Sequence, residues 1–347
     1  MSPLASSDSR PQEINIDHQL HRRRLGCTGL EVSELSLGGL FVSSAGGPFE
    51  QGREAILLAV AEGVNYVDTA PSYANSEEVL GRVLPEVESP LVLSTKLGGR
   101  PDPFDPRDAD GLRSSVTESL RLLQRERVDI LFVHEPERPG QYDWWENREL
   151  YVGPVRGVLE ELKAEGVIGF TGLGGTTAYD MAPIMATGGF DVVLTAFNYS
   201  LLWREAEQVI LPTAKEQDMG VVIGSPLQQG ALARRHDDEV RHGASWLSPP
   251  RRRQLLQLYK LLDDVEMSLP EMALRWVLSN PQVSCTLTGS RSVKEVRGNI
   301  EAARQGALPV EVMSQLDEIA ALVPFRPTEE PAVLPLGRDY RGLGRVR

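Results

Sequence analysis

The stretch Gly63-Val64-Asn65-Tyr66-Val67-Asp68-Thr69-Ala70-Pro71-Ser72-Tyr73 decides the fold. It begins as a short apolar strand and stops at a carboxylate. Pro71 has no N–H for a ladder and keeps Ala70 out of the helical region, so the strand ends there. Asp68 is left at the carboxyl end of a strand, and Tyr73 follows at the expected start of a helix. Two more apolar runs end on a titratable side chain: 90–95 runs into Lys96, and 128–133 into His134. Polar groups at the ends of successive buried strands are where an α/β barrel carries its chemistry.

Working outward, the chain alternates strands and helices. The segment 25–32, with two glycines between short apolar runs, reads as a small hairpin. Strands are predicted at 34–39, 64–68, 91–95, 128–133, 167–171, 190–195, 219–223 and 283–287. Helices are predicted at 51–62, 75–83, 111–124, 153–165, 177–187, 204–217, 250–265, 270–279 and 292–304. Eight strand–helix units in this length give a (β/α)8 TIM barrel, of α/β class, with an N-terminal hairpin. No Gly-x-Gly-x-x-Gly follows the first strand, which disfavours an open dinucleotide-binding sheet. The expected organisation is a disordered or extended lead-in over 1–24, the barrel over 25–322, and a tail over 323–347. That tail either lies over the mouth, forms a subunit contact or is loose.

Three connections are long: 98–110, 135–151 and 228–250. All leave carboxyl ends of strands, so they stand over the barrel mouth. The second carries Tyr142, Trp144 and Trp145, and the third Trp246. Such loops could be padding, but aromatics at that face suit a substrate pocket better.

The bulk numbers narrow the function classes. The chain has 347 residues, 41% hydrophobic, with a net charge of −13. That charge argues against nucleic acid or an anionic membrane as partner. No run of 18 apolar residues occurs. The first residues lack the apolar core of a secretory signal. Two cysteines make neither a disulfide framework nor a metal site, so a reduced, cytoplasmic setting and no metal are expected.

Taken singly, each candidate has a plainer reading: Asp68 as a turn cap, Tyr73 as packing, His134 as a core histidine. Lys96 is harder to dismiss, because lysine is rarely buried without a partner. Of five histidines, only His134 ends a strand. Together the four suit carbonyl–alcohol interconversion. A carbonyl that accepts hydride needs a proton on its oxygen. Tyrosine can supply it, but a free phenol has a pKa of ~10. A nearby ammonium lowers that value, and a carboxylate keeps the ammonium charged. A neutral imidazole can hold the substrate oxygen. Side chains cannot supply hydride, so a nicotinamide cofactor is implied.

At these residues the sequence closely resembles the aldo-keto reductase family. The resemblance spans about 25–302 and rests on 24–30, 67–73, Ser94-Thr95-Lys96, Val133-His134, Gly224-Ser225-Pro226-Leu227 and Gly289-Ser290-Arg291-Ser292. It implies a (β/α)8 barrel using NAD(P)H, with Tyr73 as proton donor, Lys96 and Asp68 tuning it, and His134 positioning substrate. It also implies a cofactor set of Gly174, Asn198, Ser225, Leu227, Gly230, Gly289, Ser290, Arg291, Arg297 and Asn299. The helix start after Gly289 suits phosphate. Arg291 and Arg297 suit a 2′-phosphate, so the expected cofactor is NADP or NAD, with NADP slightly preferred. Four places depart from the family pattern. Gly-x-Ser-Asn is replaced by Gly172-Leu173-Gly174-Gly175, a glutamine by Ala196, a ring-stacking aromatic by Gly224, and the glutamate before Asn299 by Gly298.

The overall pattern resembles members acting on aldoses and related carbohydrates. The expected partner is therefore a small carbonyl or sugar, with Tyr142, Trp144 and Trp145 packing on it; a second copy of the chain is also admissible. Two alternatives stand beside this. One is a non-catalytic NADP-binding regulatory subunit of the same fold, weakened by the intact four residues. The other is a Schiff-base lyase using Lys96, disfavoured because Asp68 keeps the lysine protonated.

Overall fold

A computed structural model describes residues 20–100, 102–327, 330–331 and 333–338. Strands β1 (Arg22–Arg24) and β2 (Glu31–Ser33) form an antiparallel hairpin. Eight parallel strands then close into a barrel: β3 (Leu35–Gly38), β4 (Tyr66–Asp68), β5 (Val92–Leu97), β6 (Val128–His134), β7 (Ile168–Gly175), β8 (Val192–Ala196), β9 (Gly220–Gly224) and β10 (Cys285–Thr288). They pair in chain order, and β10 returns to β3. Helices α1 (Phe49–Ala61), α2 (Ser76–Val83), α3 (Ala109–Leu123), α4 (Pro154–Ala164) and α5 (Ala178–Ala186) follow the first five barrel strands. Then come α6 (Glu205–Gln208), α7 (Ile210–Glu216), α8 (Asp237–His242), α9 (Pro249–Asp264), α10 (Leu269–Leu278), α11 (Val293–Arg304) and α12 (Val310–Ala320).

Side chains point alternately to the two faces of each strand, which divides the apolar core in two. The larger part lies between strands and helices, where Leu93, Leu131 and Val193 meet Ile56, Val116 and Val158. The smaller part fills the barrel lumen with Tyr66, Ile130, Phe132, Val192, Val222 and Leu287. Leu25 and Val32 of the hairpin join the lumen cluster and plug its amino end. Gly26 makes the close approach possible: its φ is +53°, and a Cβ there would stand 2.0 Å from the Gly220 nitrogen.

Four expectations need correction. First, β1 falls inside the stretch read as a lead-in. Arg23 is tied down by carbonyls of Leu278, Asn280 and Val283 and by the Glu34 carboxylate at 2.7 Å, so a polar sequence becomes an ordered strand. Residues 1–19 of the lead-in lie outside the described residues. Second, the helix predicted at 204–217 is broken at Val209, whose φ and ψ are −135° and −40°. Third, α8 and α12 were not predicted. Fourth, Tyr73 lies in the turn before α2 rather than at its start.

The described part of the tail packs on the segments that follow β8 and β9. Arg326 bonds the Phe197 carbonyl at 2.9 Å and Glu205 at 3.0 Å. Glu330 pairs with Arg251 at 3.1 Å, and both side chains are almost fully buried. No helix among the described residues is long and apolar enough to cross a membrane.

Candidate active site

Strand register builds the site. Asp68 pairs across β4–β5 with Ser94, and Lys96 lies two residues on, on the same face of β5. Lys96 in turn stands opposite Phe132, two residues before His134 on β6. The pleat therefore turns Asp68, Ser94, Lys96 and His134 to the same side of the barrel wall, at its carboxyl end.

Lys96 is the hub. It is 1% exposed and donates to Asp68 Oδ2 at 2.5 Å and to the Thr69 carbonyl at 2.7 Å. Asp68 Oδ1 accepts from Ser94 at 2.7 Å, and Ser94 meets the Tyr66 hydroxyl at 3.0 Å. Lys96 Nζ lies 4.7 Å from the centre of the Tyr73 ring. The Tyr73 and His134 rings meet edge to face, with centroids 6.0 Å apart. The sequence reasoning did not single out Ser94, although its place two residues before Lys96 fixes its face.

The electrostatics follow from burial and this network. Burial opposes charge on Lys96, but Asp68 and Tyr73 outweigh it, and its pKa rises above the ordinary ammonium value. Burial pushes the Tyr73 phenol up; Lys96 pulls it down without reversing the shift. The expected lowering of the Tyr73 pKa is thus a partial offset. Burial, with the Lys96 charge behind it, takes His134 down to about 3, so its imidazole is neutral near pH 7. Among the described residues its Nδ1 has no hydrogen-bond partner.

A cleft of about 1060 Å³ runs from this cluster across the top of the barrel. Asp68 and Tyr73 line its inner end, with Leu194, Ala196 and Gly224 as an apolar floor. Its outer part is lined by Ser225, Leu227, Gly230, Gly289, Arg291 and Asn299, all predicted for the cofactor. Phe41, Arg234, Lys294 and Arg338 also line it, and no motif pointed to them. The Arg291 guanidinium lies over the Phe41 ring, 4.7 Å from its centre. Among the acidic lining residues, Glu271 is paired with Arg275 at 3.0 Å and Glu295 accepts the Arg291 N–H at 2.7 Å. Basic side chains and a helix start at one end, with an apolar floor at the other, fit a dinucleotide phosphate-end outward.

Other predicted residues lie elsewhere. Arg297 is exposed on α11, outside the cleft lining. Ser290 sits behind the cleft, accepting from Asn299 at 3.0 Å. Asn198 is buried and spends its amide N–H groups on Thr195 and the Ala196 carbonyl, both at 2.9 Å. Gly174 stands behind Lys96. Trp144 and Trp145 are corrections: both are buried, and their indole N–H groups bond the His134 and Pro136 carbonyls at 2.9 and 2.8 Å. They hold the loop after β6 in place rather than facing a substrate. Of the three aromatics, only Tyr142 approaches the site, its ring centre 6.5 Å from that of His134.

Behind the cluster Glu135 and Glu137 form a buried carboxylate pair, of which no motif pointed to Glu137. Glu137 Oε1 accepts the Thr176 and Thr177 N–H groups at 2.6 and 2.8 Å, capping the entry to α5. A Cβ on Gly175 would come within 2.3 Å of Glu137 Oε2, so glycine is what lets the carboxylate in. Burial, with Glu135 beside it, raises Glu137 to about 7.

Comparison with known proteins agrees with this fold. The sequence model of the Aldo/keto reductase family matches residues 34–321. L-galactose dehydrogenase of Arabidopsis thaliana is 30% identical over 305 residues, 83% of this chain and 89% of that one. NADH-specific methylglyoxal reductase of Escherichia coli (strain K12) is 27% identical over 316 residues, 80% and 92% of the two chains. Among solved structures, the holo form of the aldo-keto reductase AKR11C1 from Bacillus halodurans matches with a TM-score of 0.73. It is 24% identical, and the match covers 90% of this chain and all of that one.

Proposed function

The chain belongs to the aldo/keto reductase family, mostly NAD(P)-dependent oxidoreductases, and from that premise we propose that it interconverts a small carbonyl and an alcohol, with Tyr73 as proton donor and acceptor. One observation carries this reading. A fully buried lysine, neutralised by Asp68, stands beside a tyrosine ring at the inner end of a dinucleotide-sized cleft.

A nicotinamide cofactor bound in the cleft supplies the hydride. Tyr73 delivers a proton to the carbonyl oxygen, and the Lys96 ammonium stabilises the phenolate that remains. Asp68 holds Lys96 charged and aimed. His134, neutral, donates its single N–H to the same oxygen and orients it. Ser225, Leu227, Gly230, Gly289 and Asn299 hold the nucleotide, and Arg291 with Lys294 favours NADP. A sugar is a suitable substrate, because L-galactose dehydrogenase is among the relatives and Tyr142 offers a ring face beside His134.

The test is nicotinamide absorbance with NADPH and NADH against aldehydes, ketones and aldoses, and with NADP+ and NAD+ against the matching alcohols and sugars. Turnover on at least one class, faster with the phosphorylated nucleotide, is expected. Tight nucleotide binding with no turnover in either direction contradicts the proposal and favours a non-catalytic binding subunit.

A further inference from the structure

The tail ends its described course inside the cleft. Leu336, Gly337 and Arg338 line it together with Ser225, Gly230 and Arg291. The tail is fastened on the way there. The Glu330–Arg251 pair is buried, and Ser248 donates to the same carboxylate at 2.8 Å. Leu334 and Leu336 are each 4% exposed. The Gly337 N–H bonds Glu239 of α8 at 2.7 Å. Arg338 reaches back to bond the Gln229 carbonyl, and a Cβ on Gly230 would lie 3.3 Å from its guanidinium. Arg338 is therefore held over the backbone of the loop that carries Ser225, Leu227 and Gly230, at the outer end of the cleft where the nucleotide reading puts the phosphates. A guanidinium carries five N–H donors, and the bond to Gln229 uses one.

We propose that the C-terminal tail is a strap across the cofactor cleft and that Arg338 contributes a direct charge-assisted contact to the dinucleotide phosphates. The proposal rests on the nucleotide reading above. It predicts that charge at 338 matters, not only the anchoring of the loop. It also predicts that NADPH and NADH are affected alike, because both carry the pyrophosphate.

The experiment is fluorescence titration of the full-length chain with NADPH and with NADH, plus stopped-flow release of each. It compares wild type, Arg338→Gln and Arg338→Lys. Glutamine keeps a donor for the Gln229 carbonyl but removes the charge; lysine keeps the charge. Roughly tenfold weaker binding of both nucleotides in Arg338→Gln, with faster release and near-wild-type affinity in Arg338→Lys, is expected. Equal affinity in wild type and Arg338→Gln overturns the strap proposal alone. Equal losses in the glutamine and lysine variants reduce Arg338 to a loop anchor and also overturn it. If the wild type binds neither nucleotide, the nucleotide reading falls and takes the strap with it.

Discussion

At the scale of single residues, the site depends on one charge being held where water cannot reach. Lys96 has a folded pKa above its ordinary value, so its pairing stabilises the fold fully below about pH 10 and loses that contribution as pH rises through the folded value. Lys96→Met removes the ammonium and leaves Asp68 buried without its partner. Breaking such a pair costs about 3–5 kcal/mol. Chemical denaturation near pH 7 should register a loss of that order, and turnover should fall along with it; wild-type stability in the variant contradicts the buried-pair account. The phenol makes a second prediction. Because the Tyr73 pKa is raised, the phenol keeps its proton across the neutral range. Reduction has its donor throughout. Alcohol oxidation needs the phenolate, so its kcat should climb with pH, about tenfold per unit, until the phenol titrates. His134, at about 3, should leave no inflection between pH 5 and 8. A bell centred near pH 6.5 that disappears in His134→Gln contradicts a neutral histidine.

At the scale of elements, Glu137 joins the loop after β6 to the start of α5. Its pKa of about 7 compares with an ordinary 4.5. Between those values the folded chain holds a proton that the unfolded chain has released, so stability falls as pH rises through that window. Glu137→Gln can keep the oxygen that accepts from Thr176 and Thr177 while ending the titration. Denaturation at pH 5 and pH 8 should find a slope in wild type, up to roughly 3 kcal/mol, that flattens in the variant; equal slopes in both exclude the group. Element boundaries were legible wherever Gly or Pro punctuated an apolar run, as at Pro71 and Gly166. The break at Val209 has such a signal too: Pro212 has no N–H for the Gln208 carbonyl and its ring crowds that carbonyl, so α6 stops at Gln208 and α7 restarts with Pro212 in its first turn. Trp144 and Trp145 were misread for a different reason. An aromatic on a mouth loop has the same sequence signature whether it faces a ligand or satisfies its N–H on a nearby carbonyl. Lys96 and His134 were legible because each ends an apolar run, and barrel strands carry their chemistry at the carboxyl end. The partners of Glu137 are main-chain N–H groups, which leave no mark in side-chain identity.

At the scale of the molecule, the closed barrel turns local strand ends into one site. β4, β5 and β6 are neighbours in sequence and in the wall, so Asp68, Lys96 and His134 converge at short contact order. That part was readable from the chain. The cleft is different: Phe41, Arg234, Lys294 and Arg338 come from distant segments and meet only after closure. Leu194, Ala196 and Gly224 line the inner end, where the family resemblance leads one to expect an amide and an aromatic. On the proposed reading, affinity for a nucleotide therefore comes mainly from its phosphate end, and catalysis from the Tyr73 end. These two ends can be separated by one substitution. Tyr73→Phe keeps the ring against His134 and Lys96 and removes the hydroxyl. The deciding measurement is steady-state kcat for the best carbonyl substrate, paired with nucleotide titration, in wild type and Tyr73→Phe. The account predicts a fall in kcat of roughly 10²–10⁴-fold with the nucleotide Kd nearly unchanged. Full turnover in Tyr73→Phe would contradict it.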